Sequence, residues 1–504
     1  MRLNTISDYL WGKRAKLSYL MIASAILLLT CLGARDIWTQ EHRWADIVWG
    51  MFYRHDFLHP YLGETRYYDK PLLSYWMIAF LAKLFGGLTT WALRLPSALA
   101  GMLGVWSIYR LGIEIKNKQL GFMAGWLLLT TFYFVFWART SSADMLNLGG
   151  SLFAIAWYYG RRKSTEFFDY AVFFMIVALT SLCKGLIGAV IPMLAVMVDL
   201  TISKTWKKHL RLSIVLAVIP AAIVYFLPFW ASSYFNGQAY GESGLYLVYR
   251  ENILRYVQPF DHQGPIYTYF IYLPIYLLPW TIFFIPALFT LNKQWKKMTV
   301  NAKWLAWTLF AVFMFLTLSG SRRSYYVLPM VPFAILFTAE WLASVEVPVL
   351  KRKLIAGLLV VITYLFLFAA IDVGQSWYYS RFGVTRFAEA VMQEAGKTRE
   401  WSKWNVVMLD AESKLRFYLQ LPPHVKTFGI TGQRDEQTSE TLAASWPMIV
   451  KKPADTIFVT RAIYVDALKK YLSNYEIVRI DDRTNIPFVR QTNITTPVAF
   501  IPKK

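Results

Sequence analysis

The chain has 504 residues, of which 56% are hydrophobic, 17% aromatic and only 17% charged. Soluble domains carry roughly 25% charged residues, so this composition argues against a chain of ordinary soluble domains. It favours a polytopic membrane protein, whose outer surface is covered by lipid. The formal net charge of +22 would by itself fit a nucleic-acid-binding protein. The two cysteines, Cys31 and Cys183, lie in apolar runs and offer no disulfide framework or zinc ribbon.

Eleven apolar runs are long enough to predict membrane spans. They lie near residues 17–34, 91–110, 119–138, 143–160, 167–183, 186–203, 212–231, 265–291, 304–319, 325–346 and 354–371. A shorter run at 71–86 contains Lys83 and fits a marginal span or a helix at the membrane interface. No convincing cleavage site follows the basic N-terminus, so the first run is predicted to be an uncleaved span.

The positions of the basic residues predict the orientation of the spans. With the N-terminus in the cytoplasm and 71–86 not spanning, every basic cluster except Arg322 and Arg323 falls in a cytoplasmic loop, as the positive-inside rule expects. Counting 71–86 as a span would reverse the predicted orientation of every later span and place these basic clusters outside. The positive charge is therefore explained by topology and attraction to the cytoplasmic leaflet, and nucleic acid is excluded as a partner.

Three segments are then predicted to face outward: 35–90, 232–264 and 372–504. The last has an ordinary soluble composition, with strand-like runs at 405–409, 425–430, 456–460 and 476–480 and helical periodicity at 411–419 and 464–472. We therefore predict a mainly α-helical membrane domain at 1–371, with the outer loops 35–90 and 232–264. A small extracytoplasmic α/β domain follows at 372–504.

The predicted outer face carries charged residues at several span ends. Asp69-Lys70-Pro71 places a carboxylate and an ammonium where a helix begins, because proline suits the first helical turn. Asp144, Lys184, Arg255, His262 and the pair Arg322-Arg323 lie at other outward ends. Such residues are uncommon near span ends and usually face a cavity. Together they predict an outward cavity with cations for a phosphate and carboxylates for acid–base chemistry.

The motifs resemble those of the GT-C membrane glycosyltransferases that use polyprenyl-phosphate sugars. The resemblance is to the branch of the lipid A aminoarabinose transferases and the bacterial protein O-mannosyltransferase-like enzymes. It covers about 17–345 and rests on matching motifs in the same order: 38–46, Tyr67-Tyr68-Asp69-Lys70-Pro71-Leu72-Leu73-Ser74-Tyr75-Trp76, Cys183-Lys184-Gly185, Glu251-Asn252-Ile253-Leu254-Arg255-Tyr256, 262–267 and Ser321-Arg322-Arg323-Ser324-Tyr325-Tyr326.

The resemblance implies roles for individual residues. Asp69 and His262 correspond to a pair that can hold a divalent metal, either Zn or Mg/Mn, and no nucleotide cofactor is implied. Asp144 corresponds to the second acidic residue of the cavity. The residues that correspond to donor-phosphate contacts are Arg43, Lys70, Lys184, Arg255, Arg322 and Tyr326.

One position departs from the family pattern. The family's catalytic aspartate aligns with Gln40, and a neutral amide cannot act as a general base. Three explanations stay open at this point. Glu41 takes over the role after a local shift, the acceptor is already anionic and needs no base, or turnover has been lost.

The expected activity is transfer of a sugar, with inversion, from a polyprenyl-phosphate donor to a lipid, glycan or protein acceptor. The expected location is the bacterial inner membrane, with multiple spans, a cytoplasmic N-terminus and the active site and C-terminal domain in the periplasm. A transporter or flippase and a non-catalytic lipid-glycan binder are the alternatives. Clustering of the charges at one face, away from the membrane midplane, argues against a transporter.

Overall fold

A computed structural model describes residues 3–38, 40–235, 244–259, 262–344, 349–423, 425, 427–428, 453–479 and 496–503. The chain divides into two compact units. The first contains residues 1–32 and 67–372, and the second contains residues 33–66 and 373–504. The predicted boundary assigned the whole loop 35–90 to the membrane domain, whereas residues 33–66 group with the C-terminal part of the chain.

The first unit is helical. Its helices are Leu3–Trp11, Leu17–Leu29, Leu73–Leu84, Thr90–Ile115, Lys118–Leu129, Phe132–Ala138, Ala143–Arg161, Phe167–Lys184, Ile187–Ile202, Trp206–His209, Leu212–Tyr234, Gly244–Val248, Arg255–Val257, Thr268–Tyr276, Thr281–Gln294, Val300–Leu318, Val331–Ser344 and Val349–Leu367. A π-helical turn, Tyr249–Leu254, joins two of them, and another follows at Phe368–Gln375.

Several helices are long and apolar enough to cross a membrane. Within the described residues, six qualify by length and composition, and a bent pair would make seven. The six are Thr90–Ile115, Phe167–Lys184, Leu212–Tyr234, Val300–Leu318, Ser324–Ala343 and Arg352–Gly396. Shorter apolar helices occur at Leu17–Leu29, Leu73–Leu84, Ile187–Ile202 and Thr281–Lys293. The mainly α, polytopic fold class is therefore confirmed, and the count of eleven spans stays a prediction.

The predicted span 119–138 is broken in the structure. The helices Lys118–Leu129 and Phe132–Ala138 meet at an angle of 71°. The hydroxyls of Thr130 and Thr131 donate to the carbonyls of Trp126 and Leu127 at 2.6 and 2.8 Å. Such side-chain bonds to the preceding turn compete with the helical ladder and bend helices, a local effect that a hydropathy pattern does not report.

Small residues allow the helices to approach closely. A Cβ atom added to Gly112 would lie 2.6 Å from the Cα of Gly121, so the helices Thr90–Ile115 and Lys118–Leu129 meet backbone to backbone. Close approach at glycine increases van der Waals contact, which is an important part of helix association in lipid. These contacts make the first unit a tight helical scaffold for the charged groups at its helix ends.

The second unit combines helix Glu41–Arg54, the short hairpin Tyr61–Leu62 and Thr65–Arg66, and the C-terminal α/β part. The latter has helices Ser376–Phe382, Val384–Gly396, Lys414–Tyr418 and Val465–Lys469. Its five-stranded sheet has the order Thr427–Phe428, Asn405–Leu409, Thr456–Arg461, Pro497–Pro502 and Tyr475–Arg479. The first three strands are parallel, and Pro497–Pro502 is antiparallel to both its neighbours.

Residues far apart in sequence bind each other inside this second unit. The Asp36 carboxylate accepts from the amide of Val384 at 3.0 Å, and the Tyr418 hydroxyl accepts from the amide of Ile37 at 2.8 Å. Arg416 forms an ion pair with Asp46 at 3.3 Å. These bonds are the reason why residues 33–66 group with the chain after 372, because each satisfies a polar group that is at least half buried.

Candidate functional site

The centre of the site in the first unit is an ion pair between Lys184 and Asp144. The Nζ of Lys184 donates to the Asp144 carboxylate, and both side chains are 12% exposed. Lys184 Nζ also lies 5.0 Å from the centre of the Tyr326 ring, within cation–π range. Three segments that the sequence separates by at least 40 positions therefore meet at one ammonium group.

The first turn of helix Ala143–Arg161 holds Asp144 in place. Ser142 is its N-cap, with its hydroxyl accepting from the Asp144 amide and donating to the Asp144 carboxylate, both at 3.0 Å. A carboxylate in the first turn also interacts favourably with the helix dipole. The amide of Ser142 in turn donates to the Ser97 hydroxyl at 3.1 Å, which ties the cap to helix Thr90–Ile115.

The Asp69-Lys70 motif contributes a second cation. Lys70 is half-buried just before helix Leu73–Leu84, and its Nζ donates to the Asp69 carbonyl at 2.8 Å. Burial lowers the pKa of Lys70, and the charges of Arg255 and Lys184 act in the same direction. The carboxylates of Glu251 and Asp69 oppose that shift. Lys70 therefore belongs to the same electrostatic cluster as Lys184.

The π-helical turn Tyr249–Leu254 brings in Glu251, a site residue that the sequence reasoning did not assign. Its carboxylate forms an ion pair with Arg255 at 2.9 Å, and only 7% of its side chain is exposed. Burial raises the pKa of Glu251, against the opposing charges of Lys70 and Arg255. The signal was present in the Glu-Asn-x-x-Arg pattern, whose i,i+4 spacing places both groups on one helical face. π-Helical turns are frequent at functional sites.

The Lys184 and Arg255 motifs meet at Gly185. Helix Phe167–Lys184 ends there with a φ of 129°, a backbone conformation that favours glycine. The Asn252 side chain accepts from the amide of Leu186 at 2.6 Å and donates to the carbonyl of Val248 at 2.9 Å. Asn252 thus fixes the chain next to Lys184 and connects it to the turn that carries Glu251.

Replacing Gly185 with alanine is therefore expected to move Lys184 away from its partners. The new Cβ would lie 2.7 Å from the Asn252 Oδ1 and would occupy a strained conformation, which costs about 1–3 kcal/mol. Substrate turnover, measured on equal amounts of folded protein, should fall at least about tenfold, since displacing a positioned group by about 1 Å has large effects. The matched control is Gly87→Ala, where the added atom meets nothing within 4 Å. Equal turnover in the two variants would contradict this role.

The predicted site residues His262 and Arg322 form hydrogen bonds that hold two loops together. Arg322 donates to the carbonyls of Thr317 and Gly264 at 3.0 and 2.6 Å, and its amide donates to the His262 carbonyl at 2.7 Å. The Arg323 guanidinium donates to the Nδ1 of His262 at 2.8 Å. Arg322, predicted to contact phosphate, thus has a demonstrated structural role here.

The predicted metal pair does not form a complete ligand set. No group of three His, Cys, Asp or Glu side chains that could hold a metal occurs among the described residues. Asp69 and His262 would supply two protein ligands, fewer than the three that catalytic zinc sites typically use. The His262 Nδ1 moreover accepts a hydrogen bond from the Arg323 guanidinium. No reaction step is therefore assigned to a metal.

The first-loop residues Gln40, Glu41 and Arg43 belong to the second unit. Glu41 is fully buried, and its carboxylate accepts from the amide of Trp38 at 2.7 Å and from Arg35 at 3.4 Å. The Glu41 amide donates to the Trp38 carbonyl at 2.8 Å, which closes a backbone turn at the start of the helix. Gln40 and Arg43 are half-buried. The predicted substitute base is thus a buried carboxylate that closes the start of its helix.

The cluster of the first unit has four cations and three anions. Its cations are Lys70, Lys184, Arg250 and Arg255, and its anions are Asp69, Asp144 and Glu251. A phosphate that enters such a cluster can accept charge-assisted bonds from groups that already lie in place. The cation that leaves its carboxylate for the phosphate makes that carboxylate more basic. The arrangement can therefore bind a phosphate and take up a proton next to it.

The fold of the chain is similar to that of the GT-C membrane glycosyltransferases, and the resemblance expected from the sequence motifs is confirmed. The family model described as dolichyl-phosphate-mannose-protein mannosyltransferase matches residues 69–231. The structure of ArnT from Cupriavidus metallidurans bound to undecaprenyl phosphate superposes with a TM-score of 0.69 and 16% identity, covering 96% of this chain and 97% of that one.

More distant structures and curated sequences agree with this fold. The oligosaccharyltransferase AglB from Archaeoglobus fulgidus has a TM-score of 0.52 at 14% identity, covering 90% of this chain and 70% of its own. The undecaprenyl phosphate-alpha-4-amino-4-deoxy-L-arabinose arabinosyl transferase of Pectobacterium atrosepticum is 24% identical over 68% of this chain and 61% of its own length. That of Shewanella sediminis is 26% identical over 64% and 59%.

The chain thus spans about 60% of the length of these curated relatives. Its apolar helices and these relatives indicate a multi-pass protein of the inner membrane. The order of the motifs in the sequence and the charged cluster that they form are the basis for a functional proposal.

Proposed function

We propose that the chain is a glycosyltransferase that moves a sugar from a polyprenyl-phosphate donor to a lipid, glycan or protein acceptor. The observation that carries the proposal is the cluster of Lys70, Lys184 and Arg255, which brings three separate sequence motifs around one site. Similarity to an ArnT structure with bound undecaprenyl phosphate supports a lipid-linked phosphate as the ligand. Membrane lipids surround the donor, and no nucleotide or nucleic acid takes part.

In the proposed reaction the donor phosphate replaces Asp144 as the ion-pair partner of the Lys184 ammonium. Lys70 and Arg255 neutralise the remaining charge of the phosphate as it becomes the leaving group. An acceptor oxygen attacks the anomeric carbon from the opposite side. The bond from that carbon to the phosphate oxygen breaks, so the configuration inverts. The Asp144 carboxylate, which has lost its ammonium partner, takes the proton of the acceptor hydroxyl.

The orientation is part of the same proposal. The N-terminus lies in the cytoplasm, and the active site and the α/β part at 372–504 lie in the periplasm, because this places nearly all basic loops inside. Donor and acceptor then meet in the outer leaflet.

The test is a transfer assay with the full-length protein in lipid nanodiscs. Polyprenyl-phosphate donors carrying radiolabelled aminoarabinose, mannose or other sugars are incubated with lipid A, glycan or peptide acceptors. We expect labelled acceptor and released polyprenyl phosphate in a ratio of about one to one, as the balanced reaction requires. The Asp144→Asn variant should form both products at least about 100-fold more slowly. In vesicles, movement of intact donor between leaflets without bond cleavage would identify a flippase and overturn the proposal.

A further inference from the structure

A second cavity lies at the opposite, basic end of the first unit. It occupies about 120 Å³ between helices Ala143–Arg161, Phe167–Lys184 and Ile187–Ile202 and the short helix Trp206–His209. By the same measure one water molecule needs roughly 10–15 Å³, so the space is many times larger. Apolar and aromatic side chains line most of it, including Trp157, Phe173, Met193, Val196 and Leu200. The charged donor cluster contributes none of its residues to this lining.

The mouth of the cavity is strongly basic. The two connecting segments beside it, 161–166 and 203–211, contain seven Lys or Arg residues and one acidic residue, Glu166. Arg161 lines the cavity, stacks on Trp157 at 3.5 Å and pairs with Asp169 at 3.1 Å, yet 43% of its side chain is exposed. Lys207 is exposed on the neighbouring helix. Arg161 thus lies at the cavity, and further cations lie on the two segments beside it.

A buried histidine supplies an independent indication of a ligand. His209 lines the cavity and is only 4% exposed, and its Nδ1 is bonded to the Tyr170 hydroxyl at 2.7 Å. Its Nε2 is buried and forms no well-aligned hydrogen bond among the described residues, although the backbone of Arg162 lies close enough to act on the ring. Burial lowers the pKa of His209, which favours the neutral ring. In the tautomer in which Tyr170 donates, Nε2 carries a proton that needs an acceptor.

We infer that this cavity binds an anionic diacyl phospholipid of the adjacent leaflet. One acyl chain fills the apolar space, an ester carbonyl accepts from the His209 Nε2, and the phosphate lies among Arg161 and the neighbouring lysines. Basic openings between membrane helices on the cytoplasmic side are suited to acidic headgroups. The exposed Trp206, Leu210 and Leu212 at the same level are typical of side chains at a membrane interface.

The test is native mass spectrometry of the purified full-length protein. Dioleoylphosphatidylglycerol and dioleoylphosphatidylcholine are added in parallel, and the number of retained lipids is counted. We expect one phosphatidylglycerol to be retained at least about fivefold more strongly than phosphatidylcholine, as one favourable charge contact implies. Equal retention of the two lipids would overturn the inference.

Two variants locate the binding to this cavity. Arg161→Ala with Lys207→Ala should weaken phosphatidylglycerol retention by more than about tenfold, since two charges are lost. His209→Phe keeps the ring volume and should weaken it about threefold, the effect of one hydrogen bond. The control Lys296→Ala with Lys297→Ala removes two exposed cations that are not in the lining. If both cavity variants retained phosphatidylglycerol as strongly as the unsubstituted protein, at a normal melting temperature, the lipid would not bind in this cavity.

A competition experiment distinguishes binding of the whole lipid from binding of its headgroup alone. Glycerol phosphate, which has the charge but no acyl chains, should not displace the retained phosphatidylglycerol, because the apolar space contributes most of the binding. If glycerol phosphate displaced it at equal concentration, the site would be a phosphate site and the acyl-chain assignment would be wrong. If the Arg161 variant failed to fold, Lys207→Ala alone should still weaken retention about fivefold.

Discussion

Replacing Lys184 with alanine is expected to lower the rate of sugar transfer at least about 100-fold, the usual effect of removing one group that stabilises a leaving or developing anion. Lys184 is the only group of the described site shown to contact both the Asp144 carboxylate and the Tyr326 ring. Its loss removes the ammonium from the proposed phosphate position. It also leaves Asp144 buried without its counter-charge, which should reduce the stability of the fold.

The measurement is the transfer rate per folded molecule at saturating donor, with a melting curve for each variant. Lys83→Ala is the matched control, because Lys83 is an exposed lysine on an apolar helix of the same unit. Asp144→Asn should reduce transfer by a similar factor while keeping the volume of the side chain. A Lys184→Ala protein that is folded and transfers sugar at the normal rate would contradict both the site and the proposed reaction.

Replacing Glu41 with alanine is expected to destabilise the second unit by about 3 kcal/mol, because removing one partner of a buried ion pair leaves the other charge buried without a counter-charge. The substitution leaves the Trp38 amide without its acceptor and Arg35, which is 14% exposed, without its carboxylate. The readout is the urea dependence of unfolding of the full-length protein in detergent, followed by near-ultraviolet circular dichroism. A transition unchanged from that of the unsubstituted chain would show that Glu41 does not hold this turn.

Glu41→Gln distinguishes a structural carboxylate from a catalytic base. A glutamine oxygen can still accept from the Trp38 amide, so most of the stability should be kept. A base cannot be replaced by an amide, so a loss of about 100-fold in transfer at normal stability would assign the proton transfer to Glu41. We expect transfer to be largely kept, because the carboxylate is fully buried and already accepts two hydrogen bonds. Gln40→Asp in the same assay shows whether turnover improves when the family's aspartate is restored.

Much of the C-terminal sheet could be predicted from the sequence. The run 405–409 is a strand with the predicted bounds, and 456–460 differs from the observed strand by one residue. Both are short runs with an apolar centre, as expected for central parallel strands that are buried on two faces. The strand Pro497–Pro502 and the helix Val384–Gly396 were missed. The predicted strand 425–430 is observed at Thr427–Phe428, and its last two residues lie outside the described ones.

The candidate site, like the sheet, could be predicted from the sequence only in part. Asp69, Lys70, Asp144, Lys184 and Arg255 were predicted from charge at span ends and from motif resemblance, and they meet in one electrostatic cluster. Glu251 received no role, because its i,i+4 spacing from Arg255 places both groups on one helical face but does not report burial. Arg139, a charged residue at the end of another apolar run, pairs with the buried Asp372 at 3.2 Å and donates to the Leu27 carbonyl at 2.7 Å. A charge pattern cannot distinguish these two environments.

The sequence by itself determined the class of the protein. Long apolar runs require a lipid environment, the basic loops indicate an orientation, and motif order points to the GT-C fold, because these properties depend on composition and spacing alone. Only the tertiary structure decided which charges act together. Pairing of Lys184 with Asp144, the link from Asn252 to Leu186 and the burial of Glu41 depend on distances between segments far apart in the chain. Such distances follow from helix packing, which a linear pattern does not contain.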